Sequence, residues 1–159
     1  MATKKKRSAP KKKAAPKSQK TQKKRMPARS QPETLRLRNV SLSLTATDLQ
    51  RSIAFYRDVL GFMMGDEWRT KGALMGVELH AGAVTFMLSQ DDFAKGRDRL
   101  KGIGTRFYCG TAQDIDRLAS QIKERGGVLD QEPKMMEWGS RVFMISDPDG
   151  FKLTFVQES

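Results

Sequence analysis

The stretch TDLQRSIAFYRDVLGF, residues 47–62, predicts the first helix of the chain. Its apolar residues recur at helical spacing on one face, and Gly61 follows as a stop signal. Thr47 and Gln50 have the spacing of a capping box, so we expect the helix to begin directly after Thr47. Upstream, apolar and polar residues alternate over residues 40–45, which indicates a half-buried β-strand. The apolar helix face consists of Leu49, Ile53, Tyr56 and Leu60.

The same order of elements recurs in the second half of the chain. Residues 62–89 contain apolar pairs separated by glycine turns, which predicts three antiparallel strands. After a charged connector, residues 105–109 predict a strand, Thr111 a helix cap, and residues 128–157 three more strands. We therefore predict an α+β fold of two tandem βαβββ modules, residues 36–90 and 103–159, within a domain of residues 34–159. The curved mixed sheets of the two modules are expected to enclose a cavity, with the helices outside.

The positive charge of the chain is concentrated at its N-terminus. Residues 1–33 contain 13 Lys or Arg and one acidic residue, whereas the other 126 residues hold 17 basic and 17 acidic side chains. This segment is rich in Lys, Ala and Pro and is too poor in apolar residues to form a core, so we expect a disordered basic tail.

Three clusters of cations in this tail would attract phosphates without reading sequence. A nonspecific nucleic acid, or another anionic surface, is therefore an expected partner, although no aromatic residue is available there for base stacking. The cations are Lys4, Lys5, Lys6, Arg7, Lys11, Lys12, Lys13, Lys23, Lys24 and Arg25.

The remaining composition restricts location and chemistry. The N-terminus has no apolar segment typical of a secretory signal, and no apolar run is long enough to cross a membrane. Cys109 is the only cysteine, which excludes an internal disulfide, and His80 is the only histidine. We expect a cytoplasmic protein, or a nuclear one in a eukaryote.

Two motifs carry a resemblance to a known family. Residues 47–62 and the stretch WGSRVFMISDPDGFKLTF, residues 138–155, occur in this order with a glycine-terminated helix between them. Over residues 38–157 the chain resembles the vicinal oxygen chelate superfamily, which includes glyoxalase I, extradiol dioxygenases, fosfomycin-modifying enzymes and bleomycin-binding proteins. This resemblance implies the tandem βαβββ fold, a small-molecule ligand and a homodimer.

Enzymes of this superfamily hold a divalent metal through four side chains, usually two His and two Glu. The corresponding positions in this chain are Ser41, Phe86, Thr105 and Thr154. Hydroxyls and a phenyl ring do not replace imidazole and carboxylate ligands, so we predict that no metal or other cofactor is bound. Glu78 and His80 are two apart on a predicted strand and are the only weak metal candidates. We interpret them as solvated residues near a hairpin.

Aromatic residues and one arginine are candidates for the walls of the cavity. Trp138, Arg141 and Phe143 lie on or beside a predicted strand, and Arg can stack on rings and hydrogen-bond to anions. Packing of the core would explain them equally well. The predicted ligand-binding residues are Ser41, Ser43, Trp68, Phe86, Thr105, Trp138, Arg141, Phe143 and Thr154.

Three function hypotheses follow. The first, which we prefer, is a metal-free protein that sequesters or senses an aromatic or anionic compound, with no catalytic residues. The second is a divergent glyoxalase-like lyase, isomerase or dioxygenase with a divalent metal at Glu78 and His80. The third is a nucleic-acid-associated protein in which the tail binds and the domain dimerises.

Overall fold

The computed structural model describes residues 39–158, and the predicted basic tail lies outside this range. The first module contains β1 (Ser41–Ala46), α1 (Leu49–Ala54) with a π-helical turn (Phe55–Val59), β2 (Met63–Thr70), β3 (Ala73–Ala81) and β4 (Val84–Gln90). The second contains β5 (Arg106–Thr111), α2 (Ile115–Glu124), β6 (Leu129–Met135), β7 (Arg141–Ser146) and β8 (Lys152–Gln157). The predicted tandem βαβββ arrangement is confirmed.

Each module forms one four-stranded mixed sheet. The strand orders are β1-β4-β3-β2 and β5-β8-β7-β6. In each sheet the first strand of the module pairs in parallel with the last strand, and the other pairs are antiparallel. The parallel pairing is possible because a helix and two strands intervene along the chain. The two halves therefore have the same topology.

Both helices begin later than the sequence predicts. The N-cap of α1 is Asp48, whose carboxylate accepts the Arg51 backbone N–H at 3.0 Å. The N-cap of α2 is Asp114, which accepts the Arg117 N–H at 2.7 Å. The prediction of Thr47 and Thr111 as caps is wrong, because in each case an Asp nearer to the helix accepts the backbone N–H of the first turn. Neither helix in the described part of the chain could cross a membrane.

One apolar core serves both modules. The predicted face of α1, from Leu49 to Leu60, is buried and belongs to the same cluster of side chains as the buried residues of α2, β7 and β8. The rings of Phe86 in β4 and Phe107 in β5 meet edge to face at 5.9 Å between centroids. The helix-covered face of one sheet therefore joins that of the other.

The opposite face of each sheet, here called the open face, carries the alternate residues of the strands. In β1, Leu44 and Ala46 are buried on the helix-covered face, whereas Ser41 and Ser43 are exposed on the open face. In β5, Phe107 faces the core and Tyr108 is 66 % exposed. The open faces thus carry exposed side chains, many of them polar, that a ligand could contact.

Candidate functional site

Polar side chains lie in rows across the open face of the first sheet. Ser41 is in register with Thr85 of β4, which is in register with His80 of β3. Ser43 is in register with Met87, and Met87 with Glu78. The strand pairing therefore gathers hydroxyls, one thioether, one carboxyl and the only imidazole of the chain on a single surface.

His80 is fixed by its neighbours on three strands. Its Nδ1 lies 3.2 Å from the hydroxyl of Thr85, and its Nε2 lies 3.7 Å from a carboxylate oxygen of Glu78. The ring lies over Gly65 of β2, where a Cβ atom would overlap it. The predicted proximity of Glu78 and His80 is present, and both side chains remain partly exposed.

A tryptophan borders this surface. The indole of Trp68 in β2 lies against Gly76 of β3, and a Cβ atom at Gly76 would overlap the ring. Because Gly76, Glu78 and His80 alternate along β3, the indole is on the same face as the carboxyl and the imidazole. Trp68 is 37 % exposed, so part of its ring is accessible for stacking.

The open face of the second sheet centres on Thr154. This residue is in register with Tyr108 of β5 and Met144 of β7 and is only 1 % exposed. Its hydroxyl has no hydrogen-bond partner among residues 39–158. A buried polar atom of this kind is uncommon in folded proteins, and a ligand could reach this hydroxyl only if the side chains that cover it move.

The other predicted ligand-binding residues lie elsewhere. Phe86 and Phe143 are buried on the helix-covered faces, where Phe143 stacks on Phe155 at 4.8 Å between centroids. Arg141 points towards α2 and forms two hydrogen bonds, of 2.5 and 2.6 Å, with the Asp116 carboxylate. Thr105 precedes β5, and Trp138 is exposed in the turn between β6 and β7. The structure thus brings together Ser41, Ser43 and Trp68 on one open face and places Thr154 on the other.

The metal centre implied by the family resemblance does not fit the residues present. The β4 residue on the same face as Ser41 is Thr85, because Phe86 points to the core. Hydroxyl groups therefore stand at Ser41, Thr85 and Thr154, and neutral hydroxyls are poor ligands for Zn²⁺ or similar ions. Glu78 and His80 supply two donors, and the described residues contain no group of three or more His, Cys, Asp or Glu side chains suited to a metal.

Sequence reasoning missed a buried ionic cluster, here called the clamp, formed by Thr47, Ser52, Asp91, Lys101 and Asp149. The Lys101 ammonium lies 2.9 Å from Asp91 and 3.2 Å from Asp149 and also donates to Thr47. Asp149 accepts the Thr47 backbone N–H and, at 3.3 Å, the Ser52 hydroxyl. All three ionic side chains are nearly inaccessible. Because the members of the clamp come from α1, the connector and the β7–β8 turn, the clamp joins these three segments.

The clamp shifts the acidity of its carboxyl groups. Hydrogen bonds from Lys101, the Phe93 N–H and Arg99 hold the pKa of Asp91 well below its usual value. Burial opposes ionisation of Asp149, but hydrogen bonds from Thr47 and Lys101 lower its pKa overall. The neighbouring Asp147, which accepts the Tyr56 hydroxyl at 3.1 Å, has a pKa raised by burial. The ionic pairs of Lys101 with Asp91 and Asp149 therefore hold the modules together, and Lys101 itself is buried.

Comparison with known proteins identifies the family. Residues 38–155 match the sequence model of the Glyoxalase/Bleomycin resistance protein/Dioxygenase superfamily. The chain therefore belongs to this superfamily. It is 29 % identical over 121 residues to a lactoylglutathione lyase of Haemophilus influenzae, covering 72 % of this chain and 87 % of that protein. It is 30 % identical over 112 residues to glutathione transferase FosA of Serratia marcescens, covering 70 % and 74 %.

Solved structures share the fold. A superfamily member from Sphaerobacter thermophilus is 25 % identical, with a TM-score of 0.60 over 76 % of this chain and 98 % of that one. TnmS3, an antibiotic binding protein from Streptomyces sp. CB03234, is 22 % identical, with a TM-score of 0.62 over 79 % and 99 %. At this identity the second likeness concerns the fold alone.

Proposed function

We propose that this protein binds an aromatic small molecule on its open faces without a catalytic metal. The observation that carries the proposal is the surface formed by Trp68, Glu78 and His80. There an accessible indole lies beside two side chains that can each hydrogen-bond to a ligand. An aromatic ligand would stack on Trp68 and exchange hydrogen bonds with this pair and with the hydroxyls of β1 and β4. No step of this binding needs a metal ion.

Two arginines bear on the chemistry of the proposed ligand. Arg141, a sequence-based candidate for an anionic group, is occupied by Asp116. Arg106 is an exposed cation on the open face of the second sheet, where its guanidinium lies 3.5 Å from the Met144 sulfur. We therefore propose an aromatic core as the main determinant, with Arg106 available to an anionic substituent.

We also propose that the protein is a homodimer in which open faces are covered by the partner subunit. Met63 and Tyr108 lie on the open faces of the first and second sheets, and each is more than half exposed. A partner that covers the open face of the second sheet would bury the Tyr108 ring, which lies there in register with Thr154. Light scattering after size-exclusion chromatography measures the assembly directly, and a mass equal to one chain at micromolar concentration would contradict this part of the proposal.

The binding proposal is tested by a thermal-shift screen. A panel of aromatic metabolites and antibiotics is compared with aliphatic compounds of similar size, since a ligand that binds only the folded state raises the unfolding temperature. A hit is then titrated against Trp68→Ala, with Trp138→Ala as the matched control. Loss of about tenfold in affinity for the first variant alone is expected. Equal affinity of both variants would reject the stacking surface.

A second candidate function, a metal-dependent lyase or transferase, is favoured by the relatives at 29 and 30 % identity. Elemental analysis of protein purified without added metal distinguishes the two candidates. Stoichiometric Zn, Ni, Fe or Mn that is lost in Glu78→Gln and in His80→Gln would establish an unusual metal site. Metal content far below one ion per chain, with ligand binding retained in a chelator, would support the first proposal.

A further inference from the structure

The two modules meet at two junctions that the shared topology makes equivalent. At each junction, the start of a helix from one module faces the hairpin between the third and fourth strands of the other. At the first junction, Asp149 in the β7–β8 turn bonds to Thr47 and Ser52 at the start of α1. Lys101 completes the contact, so this junction is filled.

The second junction has the same elements and different side chains. Counted from the N-cap residues Asp48 and Asp114, the positions of Thr47 and Ser52 correspond to Gln113 and Leu118 of the α2 region. The facing turn between β3 and β4 contains Gly82 and Ala83, which have no polar side chain that could bond to the helix. The ionic clamp therefore has no counterpart in these residues.

An open cleft occupies this second junction. Its volume is about 480 Å³, and it is lined by both of these segments and by the end of β5. None of the described residues that line it has an ionised side chain, although 30 % of the whole chain is Asp, Glu, Lys or Arg. Leu60, Phe62, Phe86, Leu118 and Phe155 form its apolar walls.

We propose that this cleft is a second ligand site, distinct from the open faces, which binds a neutral and mostly apolar small molecule. The size is within the range of small-molecule pockets, which commonly occur where two structural units meet. An uncharged lining disfavours ionic ligands, because it offers no opposite charge to offset their desolvation. Thr111 and Gln113 supply hydrogen-bonding groups at one end, so the ligand would carry a single polar group there.

Cys109 provides a built-in reporter for the occupant. It lines the cleft and is the only cysteine of the chain, so alkylation with N-ethylmaleimide modifies one known position. Burial raises the pKa of its thiol to about 11, which makes alkylation at neutral pH slow enough to follow. A molecule in the cleft would cover the thiol and slow the reaction further.

The experiment uses 1-aminoanthracene, a neutral fused-ring amine whose fluorescence rises in apolar surroundings. We expect saturable binding to the full chain and alkylation of Cys109 at least about tenfold slower at saturation. Ala83→Phe places a benzyl group at the cleft and should reduce the probe-dependent protection of Cys109 by a similar factor, whereas Trp68→Ala should leave this protection unchanged.

Unchanged alkylation of the native chain at saturating probe would overturn the proposal, and this measurement does not depend on whether Ala83→Phe folds. Protection of Cys109 that is lost in Trp68→Ala and kept in a folded Ala83→Phe would also overturn it, since the probe would then act from the open face. The two ligand proposals can therefore fail separately.

Discussion

At the scale of single residues, two glycines determine where the rings of the candidate site lie. Gly65 leaves room for the His80 imidazole and Gly76 for the Trp68 indole, and any side chain at these positions would overlap the ring. Glycine in a strand normally weakens the strand and often marks a close approach of another group. Here the close approach orients two side chains that face the proposed ligand.

Gly76→Ala should therefore displace the Trp68 indole into solvent. The chain has only two tryptophans, so the background variant Trp138→Phe leaves Trp68 as the sole fluorophore. We expect Gly76→Ala in this background to shift the emission to longer wavelength and to increase quenching by acrylamide. Gly72→Ala is the control, because it strains the backbone of the same hairpin at a φ of +83° but leaves the added Cβ atom in open space, with no overlap with the indole. Emission unchanged by Gly76→Ala would mean that the indole does not rest on this glycine.

The direction in which single side chains point could be predicted only in part from the sequence. Ser41, Ser43 and Thr154 lie on open faces, but Phe86 is one position away from the open-face residue Thr85. Side chains of a strand alternate, so an error of one position reverses the face. The direction of Arg141 depends on Asp116, which is 25 residues away, and no local pattern encodes that pairing. The ligand-binding role of the nine predicted residues stays a prediction.

At the scale of elements, the N-cap residues determine where the two helices start. Asp114→Ala should lower the free energy of unfolding by about 1 kcal/mol, because the Arg117 N–H loses its acceptor. Ser120→Ala in the same helix is the control, and we expect it to be neutral or slightly stabilising because Ala has the higher helix propensity. Urea unfolding of both variants measures the difference. Equal midpoints would show that Asp114 contributes no cap.

The order and type of the elements could be predicted well from sequence. The apolar period of α1 and the alternation in β1 are local patterns, and three strands lie within residues 128–157 as predicted. The clamp could not be predicted, because Thr47 and Asp149 are 102 residues apart and the Asp147–Gly150 segment is explained locally as a turn. Contacts of this kind depend on the packing of one module against the other.

At the scale of the whole molecule, the clamp should make stability depend on acid. The unfolded pKa of an Asp is about 3.9, and those of Asp91 and Asp149 are lower in the folded state. Their stabilising effect is present above pH 4 and is lost as the pH falls towards the folded pKa values. Asp147 acts in the opposite direction, because its raised pKa favours the folded state at low pH. Asp91 has the larger resolved shift, so we expect a net loss of stability below pH 4.

Asp91→Asn tests this assignment by thermal unfolding from pH 7 to pH 2.5. The variant should unfold at a lower temperature than the native chain at pH 7, where it lacks the charge that pairs with Lys101. Below pH 4 the two curves should converge, since the native Asp91 is then increasingly protonated in the unfolded state. Parallel curves over the whole range would show that another group causes the acid dependence.

The charge distribution of the chain makes nucleic-acid binding by the N-terminal residues a testable prediction. Residues 1–33 carry the whole excess charge of +12, and the rest of the chain is formally neutral. If duplex DNA binds through these residues, its affinity should fall by a factor on the order of a thousand between about 50 and 200 mM salt. Deletion of residues 1–33 should abolish the binding in a fluorescence anisotropy titration. An affinity unaffected by the deletion would reject this role.

The core shared by both modules has a consequence for the duplicated architecture. Neither module has a complete hydrophobic core of its own, because the Phe86 and Phe107 rings that meet in the shared core come from different modules. A fragment that contains only the first module and ends in the connector would therefore expose its apolar face to water, and it should aggregate or remain unfolded. Cutting the chain between residues 92 and 98 should give two pieces that recover the native state only by reassociating, which makes this protein suited to fragment complementation.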